Sequence, residues 1–128
     1  MPEKRLMFAM ILLTICIFAG AFGQISWKHA MSNMETIDDV DGLLSLDTIW
    51  NIITNKYIIL GLLLYGSAFF LWLSALSTLD VSFMYPMLSL AYVLTAILAF
   101  VFLGEEISLI RWSGIFLVVL GCVLIMKS

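Results

Sequence analysis

Four long apolar runs, separated by short polar stretches, set the pattern of this chain, at about residues 6–27, 57–76, 81–103 and 109–126. At a rise of about 1.5 Å per residue, each is long enough as a helix to cross a hydrocarbon core of about 30 Å. The third, Val81 to Leu103, holds no charge between Asp80 and Glu105, yet it contains Ser82, Tyr85, Ser89, Tyr92 and Thr95. Their spacing places all five on one helical stripe, opposite an apolar face. Such a stripe predicts a substrate-facing wall. It equally suits helix packing with hydroxyls bonded back to their own turn, and for Ser82 and Thr95 the two readings are even. Pro86 lacks an N–H and frees the carbonyl of Ser82, so the helix is expected to bend within its first two turns. Such irregularity is tolerated at membrane depth where protein covers it or a cavity lies beside it.

The first run ends in Gly20-Ala-Phe-Gly23-Gln24-Ile-Ser26-Trp27-Lys28. Ala19, Gly20 and Gly23 allow a neighbouring helix to approach closely, and Trp27 and Lys28 mark the membrane interface. Gln24 is an amide near the end of a span, and it needs a partner from another helix or from a ligand. Lys28 reads either as an anchor whose ammonium snorkels outward or as a grip for phosphate. In the second run Tyr65 and Trp72 lie seven apart and share a face, which suits a pocket wall and plain packing alike. The short link Ser77 to Asp80 makes runs two and three an antiparallel hairpin. Gly104 suits a helix C′ position and Ser108 the N-cap of the next helix. In the fourth run Gly114 and Gly121, seven apart, form a close-packing seam for a partner helix.

The stretch at about 30–56 is different. Glu35, Asp38, Asp39, Asp41 and Asp47 make it acidic and place it outside the bilayer. Its first part reads as a solvated loop, and Leu44 to Asn55 as a short amphipathic helix on the membrane surface. Asp38, Asp39 and Asp41 lack EF-hand spacing, so no metal site is expected. Composition agrees with the pattern: 63% hydrophobic and 12% charged residues exclude a soluble domain. The 128 residues leave room for four spans and one substantial loop, hence a single domain over 1–128. The net charge of −3 comes from acids outside the spans and gives no ground for a nucleic-acid partner. Cys16 and Cys122 read as apolar fillers within spans, not as a disulfide. Lys4 and Arg5 before an apolar run resemble a signal peptide, but no small-x-small cleavage site follows, so a retained first helix is expected.

Orientation is evenly voted, with Lys4, Arg5 and Lys127 on one side and Lys28, Lys56 and Arg111 on the other. The N-terminal pair and the acidic loop favour a cytoplasmic N-terminus. The tie itself suits a chain that inserts either way, or one that pairs with an inverted partner. The fold class implied is all-α: an integral membrane four-transmembrane-helix bundle that forms a dimer, because four helices alone scarcely enclose a substrate path.

Four segments carry a family likeness: Ala21-Phe-Gly23-Gln24-Ile-Ser-Trp-Lys28, Met84-Tyr85-Pro86-Met87-Leu88-Ser89-Leu90, Gly104-Glu105-Glu106-Ile-Ser108 and Arg111-Trp112-Ser-Gly114. In order and separation they resemble the four-helix members of the drug/metabolite transporter superfamily. Among these, the likeness is to the small subunits of the aminoarabinose-phosphoundecaprenol flippase, which are similar to EamA-type half-transporters. The small multidrug resistance proteins are more distantly similar, sharing the glycine seam and Tyr85. Their proton-coupled exchange rests on a glutamate in helix 1, whose position here is taken by Gly20. With no acid inside any span, a proton antiport has no evident carrier.

The resemblance implies a transporter or flippase subunit for a polyprenyl-phosphate-linked sugar or related lipid phosphate. Lys28 and Arg111 would attract the phosphate, Arg with a bidentate grip. Gln24, Tyr85, Ser89 and Tyr92 would hydrogen-bond head-group oxygens. Gly104 and Glu105 would order the turn before the fourth helix, and Gly114 and Gly121 would join the dimer. The partners implied are membrane lipid and either a second copy, parallel or inverted, or a related four-helix subunit, in a cell (plasma or inner) membrane. One alternative is a multidrug-resistance-like exporter of small cations, with Tyr65, Trp72 and Tyr85 giving cation–π contacts. Another is an accessory subunit of a larger membrane complex. No catalytic residue and no cofactor is implied, since the chain has no Gly-rich phosphate loop, and the lone His29 beside an interfacial lysine reads as simply exposed.

Overall fold

The computed structural model describes residues 2–128, and the described residues form helices without any strand. Four helical stretches are long and apolar enough to cross a membrane: Glu3–Ser32, Lys56–Leu76, Val81–Phe102 and Leu109–Lys127. The chain is therefore a multi-pass membrane protein.

The first helix, α1 (Pro2–Ser32), outruns its apolar core at the C-terminal end. Its last turns are held by protein contacts: Ala30 is buried, and His29 meets the Tyr57 ring edge-on at 4.6 Å. The acidic stretch is partly helical as well. Asp39 caps α2 (Val40–Leu44) by accepting from Gly42 N–H, and Ser45 caps α3 (Leu46–Thr54) by accepting from Thr48 N–H. On α3, Leu46, Ile49, Trp50 and Ile53 are exposed at spacings that share one helical face, while Thr48, Asn51 and Thr54 turn toward Asn33 and Glu35. Asn55 then ends α3 and caps α4 (Lys56–Leu76).

The third span is two helices, α5 (Val81–Met87) and α6 (Ser89–Phe102), broken at Leu88. Pro86 sits in the last turn of α5, and Leu88 N–H turns to the carbonyls of Met84 and Tyr85, both at 3.1 Å. The break thus lies two residues past the proline, where the interrupted ladder is re-satisfied by tighter bonds. Gly104, at φ 69°, then reverses the chain, and Ser108 caps α7 (Leu109–Lys127) by accepting from Arg111 N–H.

Packing is uneven along the bundle. Ala9, Leu12, Leu13 and Ile17 of α1, Ala75 of α4, Met84 and Met87 of α5, Ala91 of α6 and Cys122 of α7 form one core. All of these lie in the half of the bundle that carries the chain termini. Toward the other end α1 and α4 stay in close contact through small residues. Gly23 lies against the Tyr65 ring and Gly61 beneath the Trp27 indole. α6 packs against α1 but makes little contact with α4. α7 touches α5 and α6, with Trp112 edge-on to Phe100 near its start and Cys122 its one buried residue.

Candidate functional site

Alongside the contact between α1 and α6 a groove of about 400 Å³ opens, bordered by Gly20, Gln24 and Lys28 of α1, Tyr65 of α4, Tyr92 and Thr95 of α6, and Glu105 just past the turn. It runs from the charged residues at the end of α1 inward to Gly20 and Ala91. A second cavity of about 390 Å³ shares Gly20, Tyr65, Ala91 and Tyr92 with it and continues past Trp72 and Tyr85 to Cys16. The two make one path along α6, polar at its outer end and aromatic at depth.

The wall of this path is fixed by a small network. Trp27 donates its Nε1–H to Ile58 O at 3.0 Å and stacks flat on Tyr65, with ring centroids 4.7 Å apart and planes 6° from parallel. Ser26 Oγ–H donates to Tyr57 O at 2.6 Å. Gly23 and Gly61 make this possible, because a Cβ at either position would strike Tyr65 or Trp27. With its ring clamped, the Tyr65 hydroxyl accepts a hydrogen bond from Gln24 Nε2 at 2.7 Å. A phenol that accepts from an amide keeps its own proton to donate, so Tyr65 offers a donor within the groove. Further in, Trp72 meets the Tyr85 ring edge-on at 6.5 Å.

Six of the residues singled out from the sequence thus come together: Gln24, Lys28, Tyr65 and Tyr92 in the outer groove, and Trp72 and Tyr85 in the deeper cavity. Tyr85 and Tyr92 remain 64% and 65% exposed, so the path is open along their edge. The polar stripe of the third span is split. Tyr85, Tyr92 and Thr95 follow the path, and the Thr95 hydroxyl is also bonded back to Ala91 O at 2.7 Å. Ser89 instead lies 3.0 Å from Cys122 Sγ, and Ser82 lies near Leu6 and Ile125. Tyr85 and Ser89 lie on opposite sides of the break at Leu88, so the stripe does not carry through it unchanged. Arg111 is exposed on the first turn of α7 and borders neither cavity.

Two residues, one behind the groove wall and one on its border, were not legible from the sequence as site residues. Trp27 read as an interface marker, and its clamp on Tyr65 depends on a partner thirty-eight positions away. Glu105 read as a turn residue, yet it borders the groove. A signal for the first was Gly61 of α4, since a glycine within a span leaves room for a large ring from another helix.

Comparison with known proteins agrees with this architecture. Residues 42–127 match the EamA-like transporter family. The chain is 32% identical over 115 residues to the probable 4-amino-4-deoxy-L-arabinose-phosphoundecaprenol flippase subunit ArnE of Pseudomonas fluorescens, covering 90% of this chain and 93% of that protein. It is 38% identical over 69 residues to the subunit of the same name in Pectobacterium atrosepticum, covering 54% of this chain and 61% of that protein. With the Yersinia pseudotuberculosis subunit it is 33% identical over 72 residues, covering 56% and 63%. These last two alignments span under two thirds of the relatives' lengths. No solved structure matches the chain.

Proposed function

Since the chain belongs to the EamA-like transporter family, we propose that it is a flippase subunit moving a polyprenyl-phosphate-linked sugar, or a related lipid phosphate, between leaflets. The observation that carries this reading is the gathering of Gln24, Lys28, Tyr65 and Tyr92 around one groove with an open tyrosine edge. The physical obstacle is to bring a phosphate and a sugar through a low-dielectric slab while the prenyl tail stays in lipid. A laterally open groove separates the two tasks. Lys28 meets the phosphate at the membrane surface, and Arg111, exposed at the same end of the bundle, draws anionic lipid toward it. Gln24, Tyr65, Tyr85 and Tyr92 replace the water bonds of the sugar oxygens during passage. The relatives' names specify an aminoarabinose head group on undecaprenol, and the substrate proposed here is of that class.

The functional unit proposed is a dimer, of two copies or of this chain with a related four-helix subunit, joined along Gly114 and Gly121. Beyond their own stretch of helix, no atom of the described residues lies within 4 Å of a Cβ built at either glycine. The unit sits in the plasma (inner) membrane with the N-terminus cytoplasmic. The test is head-group flipping in vesicles holding the purified protein, read with a membrane-impermeant reagent. Flipping above that of protein-free vesicles is expected, with Gln24→Ala and Tyr85→Phe slower. No acceleration, alone or with a co-purified related subunit, would refute the reading.

A second reading, export of a small organic cation, is favoured by one observation. Tyr65, Trp72 and Tyr85 all border the deeper cavity, where aromatic faces attract cations. Efflux of a quaternary ammonium dye from the same vesicles, without lipid flipping, would favour it.

A further inference from the structure

A groove that carries a phosphate is expected to shed carboxylates from its border, since like charges repel strongly where water is thin. This groove keeps one. Glu105 borders it opposite in sign to Lys28. The turn does not need that carboxylate. Gly104 supplies the positive φ of 69°, and Glu105 closes the turn with its backbone N–H, 3.2 Å from Ala99 O, a bond that any residue but proline can make. The adjacent Glu106 has the same charge, is exposed, and does not border the groove. The groove thus places one cation on α1 and one anion beyond α6 around a set of neutral donors. The ligand this matches carries an anionic phosphate and a protonated amine in one head group.

On the reading that the groove carries a lipid phosphate, we propose that Glu105 determines specificity by accepting the protonated amine of an amino-sugar head group while Lys28 takes the phosphate. A neutral or N-acylated sugar leaves the Glu105 carboxylate unpaired beside the phosphate and is disfavoured.

The test uses vesicles containing the full chain and two prenyl-phosphate lipids with the same sugar, one with a free amine and one N-acetylated. The wild type is expected to flip the free amine about tenfold faster, the worth of one charge-assisted hydrogen bond. Glu105→Gln brings the ratio of the two rates close to one. Glu105→Asp and Glu106→Gln keep the preference. A wild type that flips both lipids at the same rate overturns the assignment, whatever the variants do. So does a Glu105→Gln protein that retains the wild-type ratio, since two side chains that only neutralise each other would alter both lipids alike. A wild type that flips neither lipid, alone or with a co-purified related subunit, overturns the transport reading, and this inference with it.

Discussion

A single methyl group at position 61 tests the packing that fixes the groove wall. Gly61 is buried beneath the Trp27 indole, and an ideal Cβ there would lie 2.5 Å from Trp27 Cδ1 and 2.8 Å from Cε2. Carbon atoms pack best at about 3.5–4.0 Å, so Gly61→Ala must displace the ring or part the helices. The ring is held twice, by its 3.0 Å bond to Ile58 O and by its stack on Tyr65. Losing the bond costs about 0.5–1.5 kcal/mol and the stack a similar amount. Keeping both and separating α1 from α4 costs about 1–3 kcal/mol as overpacking. Alanine recovers about 1 kcal/mol in a helix interior. The net expectation is a loss of up to about 2 kcal/mol, or about 1–3 kcal/mol relative to a Gly→Ala change that meets no clash, measured by reversible unfolding in mixed detergent micelles. Gly66→Ala is the control, because beyond its own stretch of helix no atom of the described residues lies within 4 Å of the added Cβ, and it should be neutral or slightly stabilising. Gly61→Ala as stable as Gly66→Ala would mean that Trp27 is not wedged over Gly61, and the account of how Tyr65 is positioned would fall.

Three further outcomes are expected. Tyr65→Phe keeps the stack on Trp27 but removes the hydroxyl bonded by Gln24, so it and Gln24→Ala should each slow flipping about two- to tenfold. The double variant should be little worse than the slower single, whereas additive losses would show that the two side chains act separately. Leucine at Gly114 or Gly121 should lower association with a second copy or a related subunit, seen by crosslinking in membranes, without loss of monomer stability. Unchanged association would move the interface off α7. In a background with Cys16 and Cys122 replaced, Ile53→Cys on the apolar face of α3 should resist a water-soluble maleimide that labels Asn51→Cys. Equal labelling would place α3 in water.

The spans were legible because lipid imposes its length and apolarity on each of them separately, with no tertiary information needed. The α3 helix was legible from Leu46, Ile49, Trp50 and Ile53 for a similar reason, since its period is written in local spacing. What the sequence could not supply was rotation. Ser89 and Tyr92 are three residues apart on one apparent stripe, but whether each faces the path or α7 depends on how far α6 has turned past the break at Leu88. Trp27 failed to show for a related reason. Its aromatic character signals the membrane interface in any sequence, while its contact with Tyr65 exists only because two glycines on different helices let α1 and α4 close together.

In lipid the usual meaning of an exposed residue inverts. Leu62, Leu63, Phe69 and Phe70 on α4 are exposed and need nothing further, because acyl chains solvate them as well as a protein core would. A phenol hydroxyl is different: left without a partner in hydrocarbon it costs several kcal/mol. Tyr85 and Tyr92 are about as exposed as Leu62 and Leu63, at the edge of a path already lined by Gln24 and Tyr65. Their cover therefore has to be polar: water in the path, a head group in transit, or another subunit. The same logic applies to α7, whose exposed leucines and valines fit lipid. Gly114 and Gly121 leave shallow spots that acyl chains fill less well than a second helix does. The tyrosine edge and the glycine face are the two surfaces that lipid serves poorly. They are where a substrate and a partner subunit gain most by binding.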